Sequence, residues 1–322
     1  MVFSYKKALV IGLGLFTTGI TWNLFVSYVP IFLSYYGIGY TLIGLIMTFD
    51  NFAAITIQPY IGARSDKTWS EKFGRRMPYL LIGIPLAAFF FILIPLFIPK
   101  NLIHFGNYPI SIQPDIISFG FLTTWIICFD IAMAIYRAPV TALLPDMIEN
   151  EHRSKANGVV QLMGGIGAIF AYTIGAILYN MGAELAFLVT SILMIVALII
   201  MILKIKEPKV PMGTINEANK INVIEGFKEI INNEDKSLLF ILLATFCWYF
   251  GYQGISTWFT TYGVKVLFVG EAMASSYLTL IVLPFIIGTI PSGILGEKIT
   301  RKKNDYNWII NDDCLFFYCI HL

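Results

Sequence analysis

Long apolar runs separated by short charged or proline- and glycine-containing stretches set the pattern of this chain. They fall near 8–36, 41–62, 78–98, 116–144, 158–181, 184–203, 237–262 and 272–295. A bilayer-crossing helix needs about 20 apolar residues, so the pattern predicts eight transmembrane helices. Strands of a membrane barrel would need roughly ten-residue alternating segments with polar inner faces. Runs such as "LAFLVTSILMIVALIIMIL" show no alternation and exclude that reading. The first run, behind Lys6 and Lys7, is far longer than the core of a cleavable leader and has no small-residue cleavage pattern, so it stays as the first span. The expected fold class is an all-α multi-pass membrane protein.

Composition agrees with that solvent. The chain is 57% hydrophobic and 13% charged, against roughly half and about one quarter in soluble domains. Cys128, Cys247, Cys314 and Cys319 have no C-x-x-C spacing, and of the three histidines only His321 stands near one of them, so neither a metal site nor a disulfide framework is expected. The formal charge of +2 carries no nucleic-acid signal, but its distribution sets a topology. Lys6 and Lys7, then Arg64, Lys67, Lys72, Arg75 and Arg76, then Arg153 and Lys155, then six lysines in 204–236, then Lys298, Arg301, Lys302 and Lys303 fall on one side. Lys100 and Lys265 fall on the other. The positive-inside rule makes the N-terminus and the connections after spans 2, 4, 6 and 8 cytoplasmic.

The longest connection divides the chain into a six-helix N-terminal bundle (1–205), a cytoplasmic linker (206–236) and the first two helices of an incomplete C-terminal bundle (237–304). In the linker, Asn222 and Glu225 have capping-box spacing, and Ile221, Ile224, Phe227 and Ile231 recur at helical intervals. That spacing fits an amphipathic helix on the inner membrane surface, or a solvated linker helix. The tail 305–322 holds Asp312 and Asp313 and is too short and interrupted for a ninth span, so an aberrant, frameshifted ending is expected there.

"GARSDKTWSEKFGRRMP" (62–78) resembles the loop between the second and third helices of the major facilitator superfamily. Gly62, Asp66, Lys67, Gly74, Arg75 and Arg76 match its glycine, acidic and basic positions. The inserted residues between its halves, Gln58–Pro59 before it and "GRRMP" within it are similar to the sucrose-transporter and glycoside-pentoside-hexuronide cation symporter branches. "FDIAMAIYRAPVTALLPD" in the fourth run and "GILGEKITRKK" after the eighth extend the resemblance over about residues 1–304. It implies two six-helix halves, alternating access and a cytoplasmic gate formed by the loop residues, with Arg137 joining their network. Asp66, just past a helix C-terminus, can pair with Lys67, Arg75 and Arg76 across helix ends. A purely topological role for those cations is the alternative.

Two acids lie inside apolar runs. Asp50 stands nine residues into the second run, about 13 Å from its start at 1.5 Å per residue, and Asp130 is similarly deep in the fourth. A charged Asp at helix centre costs about 2.5–3.5 kcal/mol on insertion scales, whereas each Leu, Ile or Phe returns only about 0.3–0.6. Each must therefore face a wet cavity or a neighbour. Burial favours the neutral carboxyl and water or a cation favours the anion, a contrast that can couple cation movement to conformation. The alternative is a carboxyl that locks two helices together, with Asn51 as a candidate partner. In melibiose-type members the coupling acid precedes the proline of helix 2, where this chain has Gln58, which points to a proton rather than sodium. Arg137 lies two turns beyond Asp130, about 10 Å along the axis, suited to a long-range partnership or to reaching the cytoplasmic surface.

Tyr249, Tyr252, Gln253 and Ser256 recur at i, i+3, i+4 and i+7 in the seventh run, the first adds Trp22, Asn23 and Ser27, and the fifth adds Gln161. Aromatic faces with a few amides suit a sugar, although Tyr and Trp equally serve as interfacial anchors. The glycines of "QLMGGIGAIFAYTIGA" follow no strand and predict close helix packing rather than phosphate binding. The combined expectation is a monomeric sugar and proton symporter of the cell membrane, needing no cofactor or metal and binding no nucleic acid. A drug or organic-ion carrier and a non-transporting fragment are the alternatives, and nothing in the sequence points to an enzyme.

Overall fold

The structure, a computed structural model, describes residues 4–99, 102–105, 108–111, 116–209, 230–232, 236–284 and 286–288. The tail at 305–322 and most of the connector, including the predicted amphipathic helix at Ile221–Phe227, lie outside the described residues.

In hydrocarbon every backbone N–H and C=O must be bonded within its own segment, which makes each long apolar run a helix. Among the described residues, eight stretches are long and apolar enough to cross a membrane: Tyr5–Ser34, Tyr40–Lys67, Met77–Phe97, Ile116–Met147, Arg153–Met181, Ala183–Lys204, Ser237–Lys265 and Glu271–Gly288. They follow the eight predicted runs. Six of them contain the helices α1 (Tyr5–Ser34), α4 (Met77–Leu93), α5 (Ile116–Met147), α8 (Ala183–Lys204), α9 (Ser237–Lys265) and α10 (Glu271–Tyr277).

The second and fifth spans are interrupted, which periodicity did not predict. Span 2 divides at Thr48 into α2 (Tyr40–Met47) and α3 (Phe49–Lys67), and span 5 divides at Thr173 into α6 (Arg153–Tyr172) and α7 (Ile174–Met181). A threonine stands at both places. Thr48 Oγ1 donates to the Gly44 carbonyl at 2.7 Å and Thr173 Oγ1 to the Ile169 carbonyl at 2.6 Å, each sharing that carbonyl with its own backbone N–H. The dihedral angles of Thr48 stay right-handed (−77°, −11°), so this is a local loosening rather than a helix end.

Between spans 3 and 4 a small antiparallel hairpin pairs β1 (Leu102–Phe105) with β2 (Tyr108–Ser111), with Leu102 opposite Ser111 and Phe105 opposite Tyr108. The Gly106–Asn107 dipeptide between the two apolar runs is a turn signal. Aromatic rings of four helices form the core of the first six spans. Phe25 of α1 meets Phe129 of α5 at 5.1 Å, Phe129 meets Phe91 of α4 at 5.0 Å, and Phe91 meets Phe187 of α8 at 4.4 Å between ring centroids. The tightest helix pair is α1 with α6, where glycines do the work the sequence assigned them. A Cβ on Gly167 would stand 2.6 Å from the Phe16 carbonyl oxygen, and one on Gly19 would collide with the Gly164 carbonyl. Against this core α9 packs on α1, and α10 packs on α6 and α7.

Candidate functional site

The interruption at Thr48 leaves Asp50 in the first turn of α3, where it is buried at 4% exposure. Its partner comes from span 4, not from the local sequence: Asp50 Oδ2 is 3.6 Å from Nη1 of Arg137. The Arg137 guanidinium also lies 5.5 Å from the centroid of the Trp22 ring, a cation–π arrangement on α1. The resemblance assigned Arg137 to the loop network, and an alternative sent it to the membrane surface. The structure instead turns it inward to Asp50 and Trp22. Asp130, two turns earlier on α5, is fully buried, and neither of its oxygens has a hydrogen-bond partner among the described residues. It lies within electrostatic range of both Asp50 and Arg137. Asn51, the candidate partner of Asp50, is exposed.

On another face of α1 is a cavity of about 480 Å³ between α1, α6, α9 and the eighth span. Asn23, Gln161, Tyr249 and Tyr252 line it together, as the sequence predicted, with Gly164, Gly165 and Trp248. Trp22 and Gln253 are not among the lining residues: Trp22 turns toward Arg137, and Gln253 is half-buried. The wall of α9 is instead formed by Trp248, Tyr249 and Tyr252, with the Trp248 and Tyr252 rings stacked at 5.5 Å and 6°. Ser256 turns its hydroxyl to the Gln253 carbonyl, and Ser27 is buried on α1. Trp248 was missed although it precedes Tyr252 by one turn, the spacing that signals a shared face. Tyr172 was missed as well. Its hydroxyl donates to Asn23 Oδ1 at 2.6 Å, while Asn23 Nδ2 donates to the Gly19 carbonyl at 2.6 Å. The amide is thus fixed, keeping one N–H and one acceptor lone pair uncommitted by these two bonds.

The loop 68–76 is organised around Arg76, which is 5% exposed. Its guanidinium pairs with Asp66 at the end of α3 and donates to Asp146 Oδ2 near the end of α5 at 2.7 Å, and it also donates to Ser65 Oγ. Burial opposes the charge on Arg76, but the hydrogen bond and attraction of Asp146, with those of Asp66, offset it and raise its pKa. Glu207, just past α8, accepts the backbone N–H groups of Arg75 at 2.6 Å and Met77 at 2.8 Å, and that of Arg76 at 2.9 Å. A carboxylate therefore caps α4, where helix N–H groups have no partner of their own. Gly74 has φ +86°, and a Cβ there would stand 2.6 Å from Glu207 Cβ, so the position demands glycine twice over. Among the described residues, nothing outside its own helix lies within 4 Å of a Cβ on Gly62, and no contact there requires glycine. Lys67 is exposed in the last turn of α3, and the Arg75 side chain faces a shallow depression with Trp69, Glu71 and Lys209. Asp146 and Glu207 were not predicted, because only the folded bundle brings the ends of spans 4 and 6 to this loop.

Eight apolar spans, a glycine-packed bundle, a cavity within it and a charged loop tying helix ends together define a multi-pass membrane protein of the all-helical type. The Major Facilitator Superfamily profile matches residues 11–308, and the chain belongs to that family. Among curated proteins it is similar to two from Arabidopsis thaliana. The sucrose transport protein SUC4 is 29% identical over 49% of this chain and 30% of its own length. The sucrose transport protein SUC3 is 27% identical over 48% of this chain and 26% of its own length. The match thus covers about a third or less of either relative.

Proposed function

We propose that this chain works as a secondary active carrier that moves a sugar together with a proton by alternating access. The observation that carries the reading is the adjacency of two sites on α1. Trp22 touches the Arg137–Asp50 pair, and its neighbour Asn23 lines the cavity. Occupancy of the cavity and the charge state of the acids therefore act on the same turn of helix.

Charge arithmetic supports the proton. Asp50 and Asp130 share one guanidinium among the described residues nearby, so full ionisation leaves one buried negative charge uncompensated, and one proton balances it. Cavity chemistry supports the sugar: stacked aromatic faces beside the amides of Asn23 and Gln161 match apolar ring faces bordered by hydroxyls. The likeness to proteins named as sucrose transporters points the same way. The basic-residue count argues for a cytoplasmic Arg76 cluster, which would there hold the ends of spans 2, 3, 4 and 6 as one unit.

The test is sucrose-dependent alkalinisation of the medium around cells or proteoliposomes carrying the chain. Alkalinisation is expected with the native chain, and Asp130→Asn and Asp50→Asn should reduce uphill accumulation to the passive level while sucrose exchange down its gradient persists. Accumulation that survives both substitutions would overturn the coupling. Absence of any sucrose flux would overturn the substrate.

A further inference from the structure

At the end of the bundle away from the basic loops, one carboxylate joins three spans. Glu271 opens α10. One of its oxygens accepts the hydroxyl of Tyr35, just past α1, and the other accepts the hydroxyl of Tyr179 on α7. The Tyr179 ring stacks on Tyr28 of α1 at 3.9 Å and 13°. A second tie lies beside it: Lys265, the last residue of α9, donates to the Tyr40 hydroxyl at 2.8 Å, and Tyr40 meets Trp258 edge-on at 5.8 Å. Ala274 would be 2.8 Å from a Cβ on Gly263, so α9 and α10 also meet closely here.

This layer lies above the cavity along three spans at once. At 1.5 Å per residue, Asn23 is about 18 Å from Tyr35 on the first span, Ala168 about 16 Å from Tyr179 on the fifth, and Ile281 about 15 Å from Glu271 on the eighth. Between the carboxylate and the cavity, Tyr172 and Leu278 pack on Ala168 and Val282 of the cavity wall in a separate apolar cluster joining α6 to the eighth span. On α9 the buried residues, Ser256, Thr260, Thr261 and Gly263, all lie toward the Lys265 end. Among the described residues, the polar contacts between the first six spans and the last two gather at that end.

We propose that Glu271, Tyr35 and Tyr179 close the transport path on the side opposite the basic loops, with Tyr172 and Leu278 as the seal beneath. Opening the cavity to that side requires both tyrosine hydroxyls to leave the carboxylate. The proposal rests on alternating access but not on the sugar or the proton. Its test therefore uses neither, and its outcome is separable from that of the transport assay.

The reporter is Ala168→Cys in the cavity wall, in a chain whose native cysteines are replaced by serine, treated with a membrane-impermeant thiol reagent on the side opposite the basic loops. Ala87→Cys, fully buried on α4, is the control. With the native cluster, Ala168→Cys should react slowly. With Glu271→Ala, or with Tyr35→Phe and Tyr179→Phe together, it should react at least about ten-fold faster, since losing even one of the two charge-assisted hydrogen bonds shifts the population by about that factor. Acceleration confined to Ala168→Cys supports the closure. No acceleration, or equal acceleration at Ala87→Cys through loss of the fold, overturns it.

Discussion

At the scale of single residues, burial and hydrogen-bond inventory separate side chains that sequence treats alike. Arg76 is paired with two carboxylates of different exposure: Asp146 has a side chain 13% exposed and Asp66 one 55% exposed. Removing the shielded charge leaves a buried guanidinium short of a counter-charge, whereas water compensates for the exposed one. Asp146→Asn should therefore cost about 1.5–3 kcal/mol of stability, and Asp66→Asn less than about 1 kcal/mol. Thermal unfolding in detergent measures both, and a reversed order would show that exposure does not govern this pair. Tyr172 offers a finer test. Tyr172→Phe removes the donor that fixes Asn23 and, on the proposed function, should weaken sugar binding about five- to ten-fold, equivalent to one hydrogen bond of about 1–1.4 kcal/mol. Tryptophan fluorescence from Trp248 can report that change, with the melting temperature nearly unaffected.

At the scale of elements, the contact between α1 and α6 decides how the two sites are held. Both helices carry glycine where the backbones meet, and dispersion between close backbones replaces the hydrophobic effect that lipid cannot supply. Gly167→Val pushes a branched side chain against the Phe16 carbonyl and the Ile20 N–H, which are backbone and cannot swing aside. It should destabilise the bundle by about 1–3 kcal/mol or more. Gly62→Ala, with open space around its Cβ, should be neutral or slightly stabilising. Equal melting temperatures for the two variants would refute the close-packing account. The threonine interruptions of spans 2 and 5 belong to the same scale. They place Asp50 in a first helical turn and let α7 carry Tyr179 to the Glu271 cluster.

At the scale of the whole molecule, the basic residues predict the side on which each loop lies. A tag inserted between Gly106 and Asn107 should be reached by antibody on intact cells, while protease added outside should leave the 206–236 connector uncut. Protease cleavage of the connector from outside would invert the topology and move the Glu271 closure to the cytoplasmic face. The first six spans share one aromatic core, and the seventh and eighth lean on it through α1, α6 and α7.

The sequence by itself determined what depends on local chain and solvent. The eight spans follow from run length, because a bilayer forces any sufficiently apolar run into a helix. The glycine packing of span 5, the demand for Asp50 to find a partner and the cavity positions Asn23, Gln161, Tyr249 and Tyr252 were also legible, since each follows from burial and helical period. Which partner each group takes was decided by tertiary structure alone. Arg137 lies on the same helix as Asp130 yet pairs with Asp50, and Glu207, Asp146, Tyr172 and Glu271 act on residues of other spans. Periodicity fixes the face of a helix but not the helix it meets. A polar group inside a membrane bonds to whatever the packing brings within reach.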